Sequence, residues 1–209
     1  MKKILVSILA LSGLTLAAVT AQAESLVSGS AEAGKTKSLT CNACHGAEGN
    51  SLNAVWPNIA GQNAPYTQAQ LMAFKSGLRK NALMSSQAMM LSEEDIANLA
   101  VYFESLPGAA QSVADEKLLV RGEALYRGGN KEKGIAACIA CHGPTGRGNP
   151  AAKYPALNGQ HAAYTALQLN AYADGTRVSA GKVQIMHDIA SLLDEEDIEA
   201  VSSYVQGLK

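Results

Sequence analysis

Cys41-Asn42-Ala43-Cys44-His45 and Cys138-Ile139-Ala140-Cys141-His142 together use all four cysteines of the chain and two of its four histidines. Sulfurs one short turn apart can bond the two vinyl groups of a haem. The histidine directly after the second sulfur then reaches the iron from the same side, so each pentapeptide reads as a c-type haem attachment site. A single copy would also suit a thioredoxin-like redox pair or half of a zinc site. Two matched copies argue against both, because a thioredoxin-like site does not require the histidine and a Cys/His zinc site does not require a duplicate. Two structural disulfides fail for the same reason.

Outward from these motifs the repetition continues, so the chain reads as an internal duplication. Gly61-Gln62-Asn63-Ala64-Pro65-Tyr66-Thr67 matches Gly159-Gln160-His161-Ala162-Ala163-Tyr164-Thr165 at an offset of 98, against 97 at the cysteines. Gln70-Leu71, Phe74 and Gly77 pair with Gln168-Leu169, Tyr172 and Gly175. Leu91 to Ile96 then pairs with Leu193 to Ile198 at an offset of 102, each drift marking a small insertion in the second copy. Residues 107–112 have the composition of a linker, which divides the mature chain into domains 24–111 and 112–209.

Within each copy the apolar period is helical, and the expected fold class is all-α. Ser92 and Asp194 are candidate N-caps with Asp95 and Asp197 three residues on, and Ile96, Leu99, Ala100 and Phe103 follow as one stripe. Ile198, Val201, Ser202 and Val205 repeat it. Central helices are expected from about Tyr66 to Ser76 and from Tyr164 to Asp174, stopping at Gly77 and Gly175. A short helix carries each cysteine motif. Domains of this size bury a modest core, so they should fold poorly without the apolar surface of a porphyrin.

Histidine supplies one axial ligand, and methionine is the candidate for the other. Met186 lies 44 residues after His142 and seven before Leu193; the residue seven before Leu91 is Met84, with Met89 and Met90 as competitors. His187 could replace Met186, but its counterpart is Ser85. Pro57 and Pro155 lie twelve and thirteen residues after the motif histidines, where a carbonyl could accept the histidine ring N–H. Trp56 and Tyr154, just before them, are candidates to bond a propionate, and His161 reads as a surface residue.

Lys2 and Lys3 precede an apolar run from Ile4 to Val19, and Ala21-Gln22-Ala23 suits a signal peptidase. Residues 1–23 are therefore expected to be a leader cleaved after Ala23, the mature protein being periplasmic. The run is sixteen residues long, short of the roughly 20 that span a bilayer. Removing Lys2 and Lys3 from the 17 basic residues leaves 15 against 18 acidic ones, which makes nucleic acid a poor partner. The acidic runs at Glu93–Asp95 and Asp194–Asp197 read as solvated helix starts.

Taken together, the duplicated motifs, leader and paired methionines resemble the dihaem cytochrome c4 family over nearly all of the mature chain, most closely at Arg127-Gly128-Gly129, at 159–165 and at Tyr204 to Leu208. The resemblance implies two class I cytochrome c domains in tandem about a pseudo-twofold axis, with two covalently bound haem c groups close enough for rapid electron exchange. Cys41, Cys44, Cys138 and Cys141 would carry the thioethers, and His45, Met84, His142 and Met186 would bind iron. The expected role is transfer of single electrons from respiratory-chain donors to a terminal oxidase or reductase. Loose association with the membrane face is expected, with no small-molecule substrate and no catalytic residue. The rivals are a dihaem cytochrome c peroxidase-like enzyme and a haem subunit of a membrane respiratory complex.

Overall fold

A computed structural model describes residues 25–178 and 184–209, and the expected leader at residues 1–23 lies outside them. The first copy runs α1 (Ala31–Lys37), α2 (Asn42–His45), α3 (Ala64–Ser76), α4 (Ala82–Met89) and α5 (Glu93–Ser105). The second runs α6 (Leu119–Gly128), α7 (Ile139–His142), α8 (Ala162–Ala173), α9 (Ile185–Ala190) and α10 (Glu195–Gly207). Among the described residues, extended backbone pairs only at two isolated bridges, Asn130 with Ile135 and Asn149 with Tyr154. The all-α expectation holds, and α3 and α8 each begin two residues earlier than the apolar period suggests.

Helices α5 and α10 start where their capping residues place them. Ser92 and Asp194 each accept the backbone N–H three residues on, and the Asp95 and Asp197 side chains accept from the capping residues' own N–H groups. Both expected stripes face inward, with Ile96, Leu99, Ala100, Phe103, Ile198, Val201, Ser202 and Val205 all buried.

The period of the sequence left α1 and α6 unmarked, and the reason is the way they pack. A Cβ added to Gly34 would meet the Asn98 carbonyl oxygen at 2.1 Å, and one added to Gly122 would meet that of Ala200 at 2.3 Å. Helix α1 therefore crosses α5, and α6 crosses α10, backbone against backbone through a missing side chain rather than through an apolar stripe. Gly34 precedes Cys41 by seven residues and Gly122 precedes Cys138 by sixteen. The longer connection folds into the turn closed by the Asn130–Ile135 bridge, and its Lys133 reaches Asp194 and Asp197. The acidic start of α10 is thus more than a solvated face: Asp197 is held by Arg121 and Lys133 at 2.6 Å each.

Reciprocal bonds join the halves, as a pseudo-twofold arrangement requires. The Gln160 side chain accepts from Asn58 N–H at 2.9 Å and donates to the Asn58 carbonyl at 2.8 Å. Its counterpart Gln62 accepts from Ala156 N–H at 2.8 Å and donates to the Ala156 carbonyl at 2.9 Å. The connection through residues 106–118 lies against both halves: Gln111 donates to the Gly159 carbonyl, and Asn50 to that of Pro107.

Candidate cofactor site

A cavity of about 1380 Å³ runs through both halves and across their boundary. That exceeds the roughly 300–1,000 Å³ of a site for one small molecule. Both cysteine motifs open onto it, and so do Leu99 and Phe103 of α5 and Val201 and Val205 of α10. The apolar stripes that build each core thus also wall the cavity.

His45 and His142 are buried, and their Nδ1 atoms lie 2.9 Å from the Pro57 carbonyl oxygen and 3.0 Å from that of Pro155. A carbonyl can only accept, so Nδ1 carries the proton in both rings and Nε2 keeps its lone pair. Burial lowers both pKa values below the ordinary histidine range, and the proline bonds offset this only in part. Neutral, oriented imidazoles result, the form that binds iron.

The four cysteines form no disulfide. Burial pushes the Cys41 thiol up and the Cys138 thiol up to about 11, so neither resembles the thiolate of a thioredoxin-like pair. Among the described residues, no group of three or more His, Cys, Asp or Glu side chains is placed to hold a metal ion. A flat apolar group bonded through both sulfurs of each motif fits these walls and this donor set; a bare metal ion does not.

Met84 and Met186 line the cavity, whereas Met89 and Met90 are each 69% exposed and lie outside its lining. Both lining methionines sit on short helices, α4 and α9, that no expected helix covers. Asn81 caps α4 by accepting the Met84 N–H at 3.0 Å. His187, the alternative to Met186, donates its Nδ1–H to the Tyr172 carbonyl at 2.7 Å. Trp56 and Tyr154 line the cavity. His161 is not the surface residue expected: its Nε2 lies 2.9 Å from the Ser51 carbonyl of the other half. Arg79 and Arg177, which the sequence reading missed, also line the cavity, and the signal was their equivalence at the 98-residue offset.

The model of the cytochrome c family matches residues 31–107 and 119–209. Cytochrome c4 of Pseudomonas aeruginosa is 43% identical over 208 residues that cover the whole of both chains. The crystal structure of reduced recombinant cytochrome c4 from Pseudomonas stutzeri superposes with a TM-score of 0.84 at 42% identity, covering 87% of this chain and 100% of that one. A thiosulfate dehydrogenase electron acceptor from Thiomonas intermedia is 37% identical over 172 residues, 81% of this chain and 78% of its own.

Proposed function

Because the chain belongs to the cytochrome c4 family, two cytochrome c domains carrying two covalent haem c groups for electron transfer, we propose that it is a periplasmic carrier between respiratory donors and a terminal oxidase or reductase. In this reading residues 1–23 are a leader removed after Ala23, and domains 24–111 and 112–209 follow. Cys41 and Cys44 would bond one haem and Cys138 and Cys141 the other, with His45 and Met84 holding one iron and His142 and Met186 the second. Haem supplies one-electron exchange between ferric and ferrous iron, at a potential that a methionine thioether raises.

The chain's own part is to orient and to seal. The carbonyls of Pro57 and Pro155 hold the imidazoles, the stripes of α5 and α10 exclude water, and α4 and α9 present the methionines. The observation that carries the reading is that each half offers a neutral, oriented histidine and a methionine on one cavity, a pair that would fill both open positions of a haem iron. The relative named as the electron acceptor of a thiosulfate dehydrogenase supports adding a dehydrogenase to the donors. No described helix is long and apolar enough to cross a membrane, and contact with the membrane face is peripheral in this proposal.

Carbon monoxide tests the reading directly. The purified, reduced protein is expected to leave carbon monoxide unbound, to turn over no peroxide, and to titrate in two one-electron steps. Carbon monoxide occupying either ferrous iron would favour a peroxidase-like enzyme instead.

A further inference from the structure

Helices α3 and α8 present nearly the same wall to the cavity. Tyr66, Gln70 and Leu71 of α3 line it, and so do their counterparts Tyr164, Gln168 and Leu169 of α8. The match extends to the arginines that follow each helix: Arg79 donates to Gln70, Gln168 and the Tyr164 hydroxyl, and Arg177 to the same two amide oxygens and the Tyr66 hydroxyl. The Arg79 guanidinium carbon stands 4.5 Å from the centre of the Phe74 ring, and that of Arg177 stands 4.5 Å from the centre of the Tyr172 ring. Phe74 and Tyr172 thus occupy equivalent places on the cavity wall, and one polar atom distinguishes them, the Tyr172 hydroxyl.

That hydroxyl makes no hydrogen bond among the described residues. Burial pushes the Tyr172 phenol above the usual range by more than the Arg177 cation over its ring pulls it down, so the hydroxyl keeps its proton. The backbone carbonyl of Tyr172 accepts the His187 Nδ1–H at 2.7 Å, which ties this point of α8 to α9, the helix that carries Met186. The first half lacks this tie as well, since Ser85 stands where the second has His187. A protonated phenol with no acceptor in the protein is a donor left for whatever fills the cavity, and an unmet donor is costly once water is excluded.

We propose that the Tyr172 hydroxyl donates a hydrogen bond to the loaded second haem site and raises the reduction potential of that haem, an effect that Phe74 cannot exert on the first. The acceptor is an electron-rich part of the centre itself, the Met186 sulfur or the porphyrin. Either gives the same sign: an O–H dipole with its proton toward the centre favours the added electron of the ferrous form, and a thioether that accepts a hydrogen bond gives less density to the iron. One oxygen on a duplicated wall thus makes two otherwise matched sites unequal. The inference rests on the reading in which His142 and Met186 hold the second iron.

The test is redox titration of the full haem-loaded chain followed by NMR, with the haem methyl signals assigned to each domain and two haems per chain verified by mass. Tyr172→Phe, which copies the residue of the first half, is expected to lower the midpoint of the second haem by a roughly threefold shift of the equilibrium toward the ferric form, ~28 mV for one electron. Phe74→Tyr is expected to raise the midpoint of the first haem by a similar amount. A change in the methionine-to-iron band of Tyr172→Phe alongside that shift assigns the sulfur as acceptor, and a shift with the band unmoved assigns the porphyrin. A second-haem midpoint unmoved by Tyr172→Phe, or both midpoints moved equally, overturns the inference and leaves the electron-carrier reading standing. Carbon monoxide binding to the unaltered protein tests that reading separately.

Discussion

An imidazole binds iron only through an unprotonated nitrogen, and in His45 and His142 burial and a proline carbonyl together secure that state. The spacing of the prolines from the motifs made this contact readable in advance, because twelve or thirteen residues of loop bring a carbonyl back to the ring. The methionines were harder to read, since Met84, Met89 and Met90 lie within seven residues and only burial separates them. Replaced singly by alanine, only Met84 of these three should abolish the methionine-to-iron absorption band of the first haem, lower its potential and admit carbon monoxide. Met89→Ala and Met90→Ala should leave spectrum and potential unchanged, and loss of the band in either would reassign the ligand. His161, just before α8, was misread because nothing in the neighbouring sequence signals an acceptor 110 residues away.

Helices α5 and α10 were legible from end to end because their caps, acidic first turns and apolar stripes are local features. Their carboxylates also carry a pH dependence. Asp95 is held below the usual range first by its bond from the Ser92 backbone, and Asp194 first by Lys133. Burial acts to raise Asp197, but its bonds to Lys133 and Arg121 more than reverse this. Depressed carboxyls stabilise the fold above their unfolded value, about 3.9, and lose that contribution as pH falls through the folded values. The melting temperature is therefore expected to be level above about pH 7, to decline below about pH 6.5 as the unfolded chain protonates histidines that the fold holds neutral, and to fall further below about pH 4 as the carboxyls protonate. Asp197→Asn should lower it at neutral pH by about 4 °C and flatten the acid limb. Circular dichroism melts across that range check both, and an acid limb unaltered by the substitution would show that Asp197 does not carry it. Helices α1 and α6 escaped sequence reading because Gly34 and Gly122 make their contacts with backbone, and a missing side chain leaves no period to detect.

Across the whole molecule, Gln62 and Gln160 act as matched clamps, each bonding both backbone groups of a residue in the other domain. Replacing both by leucine removes four partly or fully buried bonds at about 1 kcal/mol each, so roughly 4 kcal/mol of domain coupling should be lost. Calorimetry is expected to show one cooperative transition in the parent and two in the double variant; a single unchanged transition would mean the clamps do not couple the domains. The chain's sequence alone determined that it is duplicated, helical and built to attach two haems, because attachment depends on two sulfurs and a histidine within five residues and helical period repeats within a turn. Only the tertiary structure decided how the copies face each other, which methionines line the cavity, and that Arg79 and Arg177 share their acceptors. Those contacts join residues about a hundred positions apart, and the path of the chain through space, not any local pattern, brings them together.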